Sequence, residues 1–542
     1  MADIATNLTR IITAKSDLKT SIEAKGVSVP SATKIDGYSA LVDQISTGSN
    51  PNQSPYWTYD WQFIRPAGWL DIDVAYNTSP DYCWMVASFD CRRRIADSNV
   101  KDGIAVFRNG SGSVYIERGT ISGGAFVITN TATLSSNGSY TELLPTDEGD
   151  YVVYRIRLSQ ASMPYVRFGN GATSNTDFTG VRESGSYYIY TSTAMELIVN
   201  GERTQNLPAP RSPYLRRYEV KNYKNASSSY KKAWANMTLN SALEYLDLTF
   251  DTTNGNTAFT SLADCFCLNA SLRVLKLTNW NVGSVTKFDN LFAYNERLEQ
   301  VDGISGWSTG NVTSFAMMFR YCCSLQSLNI KNWNTAKVTS LAYLFCGCGN
   351  LASIDLTNWD TKLVTTMTYM FYHCENLETI TIGTNFLPNA LTSMAYMFQY
   401  ATKLKTHPLS GKTWACSGLT TYTFFCQYCY MLEEMDMSGW DLSGITTVNN
   451  CNSAFSTCVN LRKLVLPSST KALHSLYFDN CYNLETIIVY ATTPPTFAVT
   501  TATLNKIHPN YKIYVPDASV NTYKSASGWT NASSHIFSIN DL

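Results

Sequence analysis

The sequence predicts a multidomain protein with a short N-terminal helical segment, an all-β, sandwich-like middle domain and a C-terminal α/β solenoid that ends in a cap. Three observations carry this prediction: an apolar stripe at the N-terminus, short β-rich runs between turns in the middle, and a repeat of 23–29 residues through the second half. The predicted boundaries are 1–46 (helical segment), 47–55 (linker), 56–218 (middle domain), 219–490 (solenoid) and 491–542 (cap).

Composition and charge narrow the classes of partner. Only 15% of the 542 residues are charged, and 41 Lys and Arg against 42 Asp and Glu leave a net charge of −1. A chain with almost no net charge has no overall electrostatic attraction for nucleic acid or for an anionic membrane surface. The opening residues mix apolar and charged side chains, and no apolar run is long enough to span a bilayer. We therefore expect no nucleic-acid partner, no membrane insertion and no secretory signal.

The N-terminal segment carries one apolar stripe, because its aliphatic residues recur at helical spacings. These residues are Ile4, Leu8, Ile11, Leu18 and Ile22. Two short helices cannot form a core of their own. The segment is therefore either a hairpin packed on the next domain or a docking and oligomerisation segment, and we expect the second, with the chain forming a homo-oligomer.

The middle domain reads as β-structure because short runs of β-branched and aromatic residues alternate with turn residues. The predicted strands are Ile104–Phe107, Val114–Ile116, Tyr151–Leu158 and Tyr187–Tyr190. Glu196–Asn200 followed by Gly201 predicts a hairpin, because Asn-Gly suits the positive φ angles of a tight primed turn. Three consecutive arginines, 92–94, resemble an anion site, but neighbouring strand residues face opposite ways and a solvated loop is the simpler interpretation.

The second half repeats a Leu-x-x-[Leu/Ile]-x-[Leu/Ile] motif. Ten leucines open its copies: Leu243, Leu272, Leu298, Leu325, Leu351, Leu377, Leu404, Leu432, Leu461 and Leu484. Three residues before each leucine stands a small polar, thiol or alanine residue: Asn240, Asn269, Asn295, Cys322, Cys348, Cys374, Ala401, Cys429, Cys458 and Cys481. An aromatic residue precedes most of these by three more positions, with Met237 and Cys426 as variants. A period of this length with Asn or Cys at the turn is the leucine-rich repeat pattern.

The rest of each copy predicts a closed coil. A Trp or Phe follows the leucine by eight to ten residues in seven copies, and an aliphatic-Thr pair such as Val338-Thr339 comes next. Apolar residues at helical spacing then follow, for example Leu341, Leu344 and Phe345. We expect a strand, a Trp-bearing corner, a single helical turn and a return. One coil cannot bury these side chains alone, so successive coils must stack.

Two segments carry a family resemblance. "NWDTKLVTTMTYMFYHCENLETI" (358–380) and "NWNTAKVTSLAYLFCGCGNLASI" (332–354) resemble the bacterial surface leucine-rich repeats of the BspA-like type, over about residues 237–490. The N-terminal segment and "FIRPAGWLDI" (63–72) are similar to structural proteins of tailed phages, especially phages of gut Bacteroidetes. The resemblance implies a virion fibre or decoration at the virion surface, docked on other virion proteins and contacting a host-surface glycan or protein. The alternative is a bacterial BspA-like surface adhesin.

Catalysis has little support in the sequence. No nucleophile elbow, zinc-protease motif or phosphate-binding glycine loop occurs, and His373 and His407 occupy packing positions of the repeat. Cys265-x-Cys267, Cys346-x-Cys348 and Cys426-x-x-Cys429 have zinc-like spacing, but each places a thiol at an inward repeat position. We expect no enzyme activity, cofactor or metal, and we expect the repeat cysteines to be reduced thiols that fill volume.

The exposed face of the stacked strands is the candidate ligand-binding face. The fifth residue of each motif faces away from the core because strand side chains alternate. These residues are Asp247, Lys276, Asp302, Asn329, Asp355, Thr381 and Asp436. The row suits sugar hydroxyls or an acidic contact, and an ordinary solvated face is the competing interpretation.

Overall fold

The computed structural model describes part of the chain. The described residues are 82–90, 104–109, 113–122, 125–136, 140–143, 151–158, 165–169, 194–200, 215–223, 243–250, 259–498 and 500–542. The N-terminal helical segment with Ile4, Leu8, Ile11, Leu18 and Ile22, the linker, the three arginines, the Tyr187–Tyr190 strand, Met237 and Asn240 lie outside these ranges. The predictions made for them stay predictions.

The middle region is built from nine strands. They are β1 (Tyr82–Asp90), β2 (Ile104–Asn109), β3 (Val114–Ser122), β4 (Ala125–Leu134), β5 (Tyr140–Leu143), β6 (Tyr151–Leu158), β7 (Tyr165–Gly169), β8 (Ala194–Asn200) and β9 (Arg217–Tyr223). β2, β3 and β6 confirm three of the predicted strands. The order β8-β1-β6-β3-β4 is antiparallel throughout, and β5-β2-β7 form a separate antiparallel sheet. Whether the two sheets pack as a sandwich stays a prediction.

The sheet of the middle region continues into the solenoid. β9 pairs in parallel with β8 on one edge and with β10 (Tyr245–Phe250) on the other. The boundary predicted at residue 218 therefore falls inside β9. The predicted hairpin at Gly201 is wrong, because β8 already pairs with β1 on one edge and β9 on the other, and a strand has only two edges.

The solenoid is a stack of parallel coils. Its remaining strands are β11 (Val274–Lys276), β12 (Gln300–Asp302), β13 (Ser353–Leu356), β14 (Thr379–Ile382), β15 (Glu434–Asp436), β16 (Lys463–Leu466), β17 (Ala472–Leu473), β18 (Thr486–Val489), β19 (Thr496–Phe497), β20 (Lys512–Val515) and β21 (Ile536–Ser538). Every described pairing among them is parallel. All ten repeat leucines are at most 2% exposed, which confirms the predicted register of the coils.

The predicted helical turn is replaced by tight turns in coils such as that of Leu341, and the α/β label of the solenoid is wrong, although a 3-10 turn does stand at this position in the coil of Val448–Cys451. Tyr343 and Phe345 donate their N–H groups to the next coil, over 2.9 Å each, whereas Leu344 donates to Leu341 three residues back. A helix would instead bond each N–H four residues back. Consecutive tight turns bring apolar residues inward at the same three- and four-residue spacing, so the sequence pattern did not distinguish the two. The backbone reverses through residues with positive φ, such as Tyr343 (59°) and Gly347 (78°).

The core is a set of continuous side-chain columns. The rings of Phe345, Phe371 and Phe398 stack at 5.3 Å between successive coils. Several corner tryptophans also bond between coils: Trp359 donates its indole N–H to the carbonyl of Ile330 at 3.0 Å, whereas the buried indole N–H groups of Trp307 and Trp414 have no acceptor among the described residues. A coil can therefore supply both apolar area and hydrogen-bond acceptors to its neighbour.

The C-terminal segment extends the stack by two strands, with β20 pairing to β18 and β21 pairing to β20. Two short helices accompany them, α1 (Thr501–Leu504) and α2 (Val520–Ser525). Ile513 lies in the strand β20 and Tyr523 lies in the helix α2. Short 3-10 turns at Ile304–Gly306, Val448–Cys451, Asp517–Ser519, Trp529–His535 and Ile539–Asp541 complete the helical structure of the described residues.

Candidate functional site

The predicted polar row exists as a geometric feature of the strand face. Asp247 lies opposite Lys276, and Lys276 lies opposite Asp302, on adjacent parallel strands. Farther along, Asp355 and Thr381 are also opposed. Asn329 is exposed and lies outside the described strands. The structure therefore brings the predicted residues onto one face at the spacing of the coils.

The carboxylates of this row are held by neighbours within their own coils. Gln300 donates to both oxygens of Asp302 at 2.8 Å, and the Ser438 backbone donates to Asp436 at 2.8 Å. Hydrogen bonds from the hydroxyl and backbone of Thr357 hold the pKa of Asp355 below its usual value. Such bonds shape the corner after each strand. A local structural role therefore accounts for these carboxylates as well as a ligand would.

The row does not run the length of the solenoid. At its C-terminal end Asp436 lies opposite Val465, and Ile488 and Tyr514 continue the same row. These three apolar side chains are buried and form a small cluster of their own, with Phe537 packed against it. The polar row therefore ends at the coil of Asp436, because the equivalent positions beyond it are apolar and buried.

A second face carries a feature that the sequence reasoning missed. The residues with positive φ in the turns of successive coils form two stacked columns of rings. The first column is Tyr343, Tyr369, Tyr396 and Phe424, with ring centroids 4.6, 4.4 and 4.8 Å apart. The second is His373, Tyr400 and Tyr428, at 4.2 and 4.6 Å. All seven side chains are partly exposed.

Tyr372 joins the two columns. Its ring stands edge-on to Tyr369 at 5.1 Å, to His373 at 4.4 Å and to Tyr400 at 6.0 Å. We call these eight residues the aromatic platform. The signal was present in the sequence, because Tyr343, Tyr369 and Tyr396 each precede the buried Phe of their copy by two residues. Aligning every column of the repeat, rather than the apolar ones alone, would have shown it.

Titratable groups elsewhere serve packing. His407 is buried among rings, and burial lowers its pKa to about 3. Burial likewise raises the pKa of Cys346 to about 11, and Cys348 donates its thiol to the Phe319 carbonyl at 3.2 Å. Among the described residues no group of three or more His, Cys, Asp or Glu side chains is placed to hold a metal ion. No helix in the same part of the chain is long and apolar enough to cross a membrane.

Comparison with known proteins points to the repeat region. A family model described as "Mycoplasma protein of unknown function, DUF285" matches residues 260–382 and 339–466, which together make less than half of the chain. No curated protein matches.

Two solved structures are similar to parts of the chain. A leucine rich cell surface protein from Faecalibacterium prausnitzii A2-165 is 14% identical, over 65% of this chain and 88% of that one, with a TM-score of 0.25. A leucine-rich repeat protein from Eubacterium ventriosum ATCC 27560 is 17% identical, over 55% and 85%, with a TM-score of 0.19. Because TM-scores this low carry no argument, the assignment of a solenoid fold depends on the hydrogen bonds within this chain alone.

Proposed function

We propose that this protein is a non-enzymatic recognition protein whose solenoid binds the surface of a bacterial cell. The observation that carries the proposal is the repetition of polar side chains along the strand row and of aromatic rings along the platform. The strand row and the aromatic platform both place like groups at the spacing of the coils, 4.2–4.8 Å between stacked platform rings. A repeated surface of this kind suits an extended ligand, because each coil adds a similar contact and the contacts act together.

We further propose that the protein is a structural component of a tailed-phage virion, a head or tail fibre or decoration exposed at the virion surface. The support is the similarity of the N-terminal segment and of residues 63–72 to phage structural proteins. The apolar stripe through Ile4, Leu8 and Ile11 is then the contact to other virion proteins or to copies of the same chain. Multiplicity on the particle would raise the effective affinity for the host.

Gold-labelled antibodies against the full chain test the location. Labelling of phage particles released from an infected culture is the expected result. Labelling of uninfected bacterial cells would identify the alternative, a bacterial surface adhesin.

A deletion tests the docking role of the N-terminal segment. Deletion of residues 2–46 should abolish incorporation into particles while the solenoid keeps its melting transition. Incorporation at the wild-type level would contradict the docking role of the segment.

Binding of the purified full chain to host cells tests the recognition role. We expect saturable binding to host bacteria and none to unrelated bacteria. A variant with Asp302→Ala, Asn329→Ala and Asp355→Ala asks whether the strand row takes part. Binding at the wild-type level by this variant would remove the row from the site, and an absence of binding by the wild type would contradict the recognition role itself.

A further inference from the structure

The rings of the aromatic platform are not required by the backbone they occupy. Seven of its eight residues have φ between 54° and 66°, a region that L-residues with bulky side chains disfavour. At equivalent turn positions the chain uses Asn290, Gly347, Ser453 and Asn480, and also Leu268, Met317 and Thr457. Residues that tolerate positive φ were thus available, and the four consecutive coils of the platform use rings instead at one or both positions. An unfavourable conformation that persists in this way points to a use for the side chain.

The platform is free of charged neighbours within its own turns. The four turn segments that form it are 341–348, 367–374, 394–401 and 422–429, and none contains Asp, Glu, Lys or Arg. The nearest charges stand at its border, where the Arg320 guanidinium lies 5.1 Å from the Tyr343 ring centroid and Glu375 lies 3.0 Å from the His373 Nδ1 atom. Apart from Arg320 beside Tyr343 and Glu375 beside His373, the platform segments themselves offer a ligand no Asp, Glu, Lys or Arg side chain.

The stacking decides which part of each ring a ligand can reach. Tyr369 and Tyr396 are covered on both faces by their column neighbours, so only the ring edges and hydroxyl groups are accessible. Ring edges carry partial positive charge, and a phenol both donates and accepts hydrogen bonds. Partial burial raises the pKa of Tyr372 and of Tyr400, so their hydroxyls stay protonated. The complementary ligand presents a row of neutral oxygen atoms.

A neutral amide pair lies in the same turns and is largely withdrawn from solvent. The Gln399 side chain donates to the Gln427 side-chain carbonyl in the next coil, between the two ring columns in sequence. Gln399 is only 7% exposed and its amide is engaged by Gln427, so the partly exposed phenols are the main neutral groups here that can hydrogen-bond hydroxyls of a ligand. Because the same groups recur from coil to coil, a polymer with a repeating unit gains contacts in proportion to its length.

We propose that the aromatic platform binds a neutral polysaccharide chain lying along the solenoid axis. This inference rests on the proposed surface-binding role and names the face and the ligand class. It differs from the interpretation drawn from the sequence, which placed the ligand on the strand row. An anionic polysaccharide fits less well, since no Lys or Arg lies within the platform segments and Arg320 stands only at the Tyr343 end.

Affinity electrophoresis of the full chain in gels containing hydroxyethyl cellulose, yeast mannan or galactomannan tests the proposal, with alginate and hyaluronate as anionic controls. The test variant combines Tyr369→Asn, Tyr396→Asn and Tyr400→Asn, because Asn tolerates positive φ and should preserve the fold. The control is the triple alanine variant of the strand row. A second variant, with Phe at the same three positions, keeps the stacks and removes three hydroxyls.

We expect retardation of the wild type by at least one neutral polysaccharide and by neither anionic one. The Asn variant should bind at least tenfold more weakly with an unchanged melting transition, the Phe variant should bind more weakly than the wild type, and the strand-row control should bind normally. No retardation of the wild type by any neutral polysaccharide would overturn the inference, as would equal retardation of the Asn and Phe variants and the wild type.

Cell binding separates this inference from the proposed function. If the wild type and the Asn variant bind host cells equally, the platform inference fails and the recognition role stands. If the wild type binds the polysaccharide and no host cell, the platform inference stands and the recognition role fails.

Discussion

The thiol of Cys374 donates a hydrogen bond of 3.1 Å to the backbone carbonyl of Phe345 in the preceding coil. The same bond recurs at Cys322 and Cys348, each at 3.2 Å, and the Asn295 side chain makes it at 2.9 Å. The repeat position therefore supplies a donor in these copies, and filling volume is only part of its role. Ala401 has no donor to offer at this position.

Restoring the missing donor should stabilise the solenoid. We expect Ala401→Cys to raise the free energy of unfolding by about 1 kcal/mol, because a new thiol would reach the Phe371 carbonyl. Cys374→Ala should lower it by a similar amount or more, since a buried carbonyl loses one of its donors. Denaturant unfolding measures both, with Cys323→Ala, at a partly exposed position, as the control. A destabilised Ala401→Cys protein would argue that the site has no room for sulfur.

The column cysteines should remain thiols in an oxidising medium. Equivalent residues of stacked coils project in parallel, whereas a disulfide needs its two Cβ atoms turned toward each other. Burial also raises the pKa of Cys348 and Cys374, which leaves little thiolate to react. Alkylation of the unreduced protein in denaturant, followed by mass spectrometry, should label both residues. A disulfide between them would show that the stacking geometry is wrong.

His407 should make the protein less stable in acid. Its Nδ1 atom accepts the Leu409 N–H at 3.1 Å, and burial lowers its pKa to about 3, so the folded state holds it neutral. The unfolded chain takes up a proton below about pH 6.5. The contribution of His407 is therefore complete above that pH and is lost as the pH falls toward 3, by about 1.4 kcal/mol per unit.

His407→Leu restores the repeat residue and removes this titration. We expect the free energy of unfolding of the variant to fall less between pH 7 and pH 4.5 than that of the wild type. His508→Leu, at the surface, serves as the control and should follow the wild type. Parallel pH curves for the wild type and His407→Leu would show that the buried ring is not the group responsible.

The covering of the apolar core at the C-terminal end of the solenoid should depend on Trp529. Its ring stacks on Phe497 at 4.2 Å, and its indole N–H reaches the Pro495 carbonyl at 2.9 Å. Trp529→Ala should cost about 3–5 kcal/mol, because it opens a cavity under the last coils. Removal of residues 494–542 should lower the melting temperature further or cause aggregation, since it exposes the core columns. Tyr490→Ala, at an exposed position, is the control. If the Trp529→Ala variant or the truncated chain melts at the same temperature as this control, the cap does not cover the core at this end.

Much of the solenoid structure can be predicted from the sequence. The leucine, aromatic and cysteine positions recur with nearly constant spacing, and buried side chains of one coil must meet the same side chains of the next. The register of the coils and the inward facing of residues such as Leu351 and Phe345 therefore follow from the pattern, and the structure confirms them.

The backbone of the turns was decided by tertiary contacts. Apolar residues at Leu341, Leu344 and Phe345 fit a helical turn and a series of tight turns equally well. The difference lies in where the N–H of Tyr343 finds its acceptor, and that acceptor, the carbonyl of Thr368, belongs to the next coil. This acceptor is distant in sequence, so the local sequence around Tyr343 could not reveal it. It becomes a partner only when the coils stack.

What the sequence by itself determined is the repeat, its register and the chemistry of each position. Only the tertiary structure decided which positions become a surface. The tyrosines at 343, 369 and 396 are 26 and 27 residues apart in the chain, and stacking brings their rings within 4.6 Å of one another. A site built from one side chain per coil exists only when the coils lie in register, because its neighbours are separated in sequence by a whole turn of the solenoid.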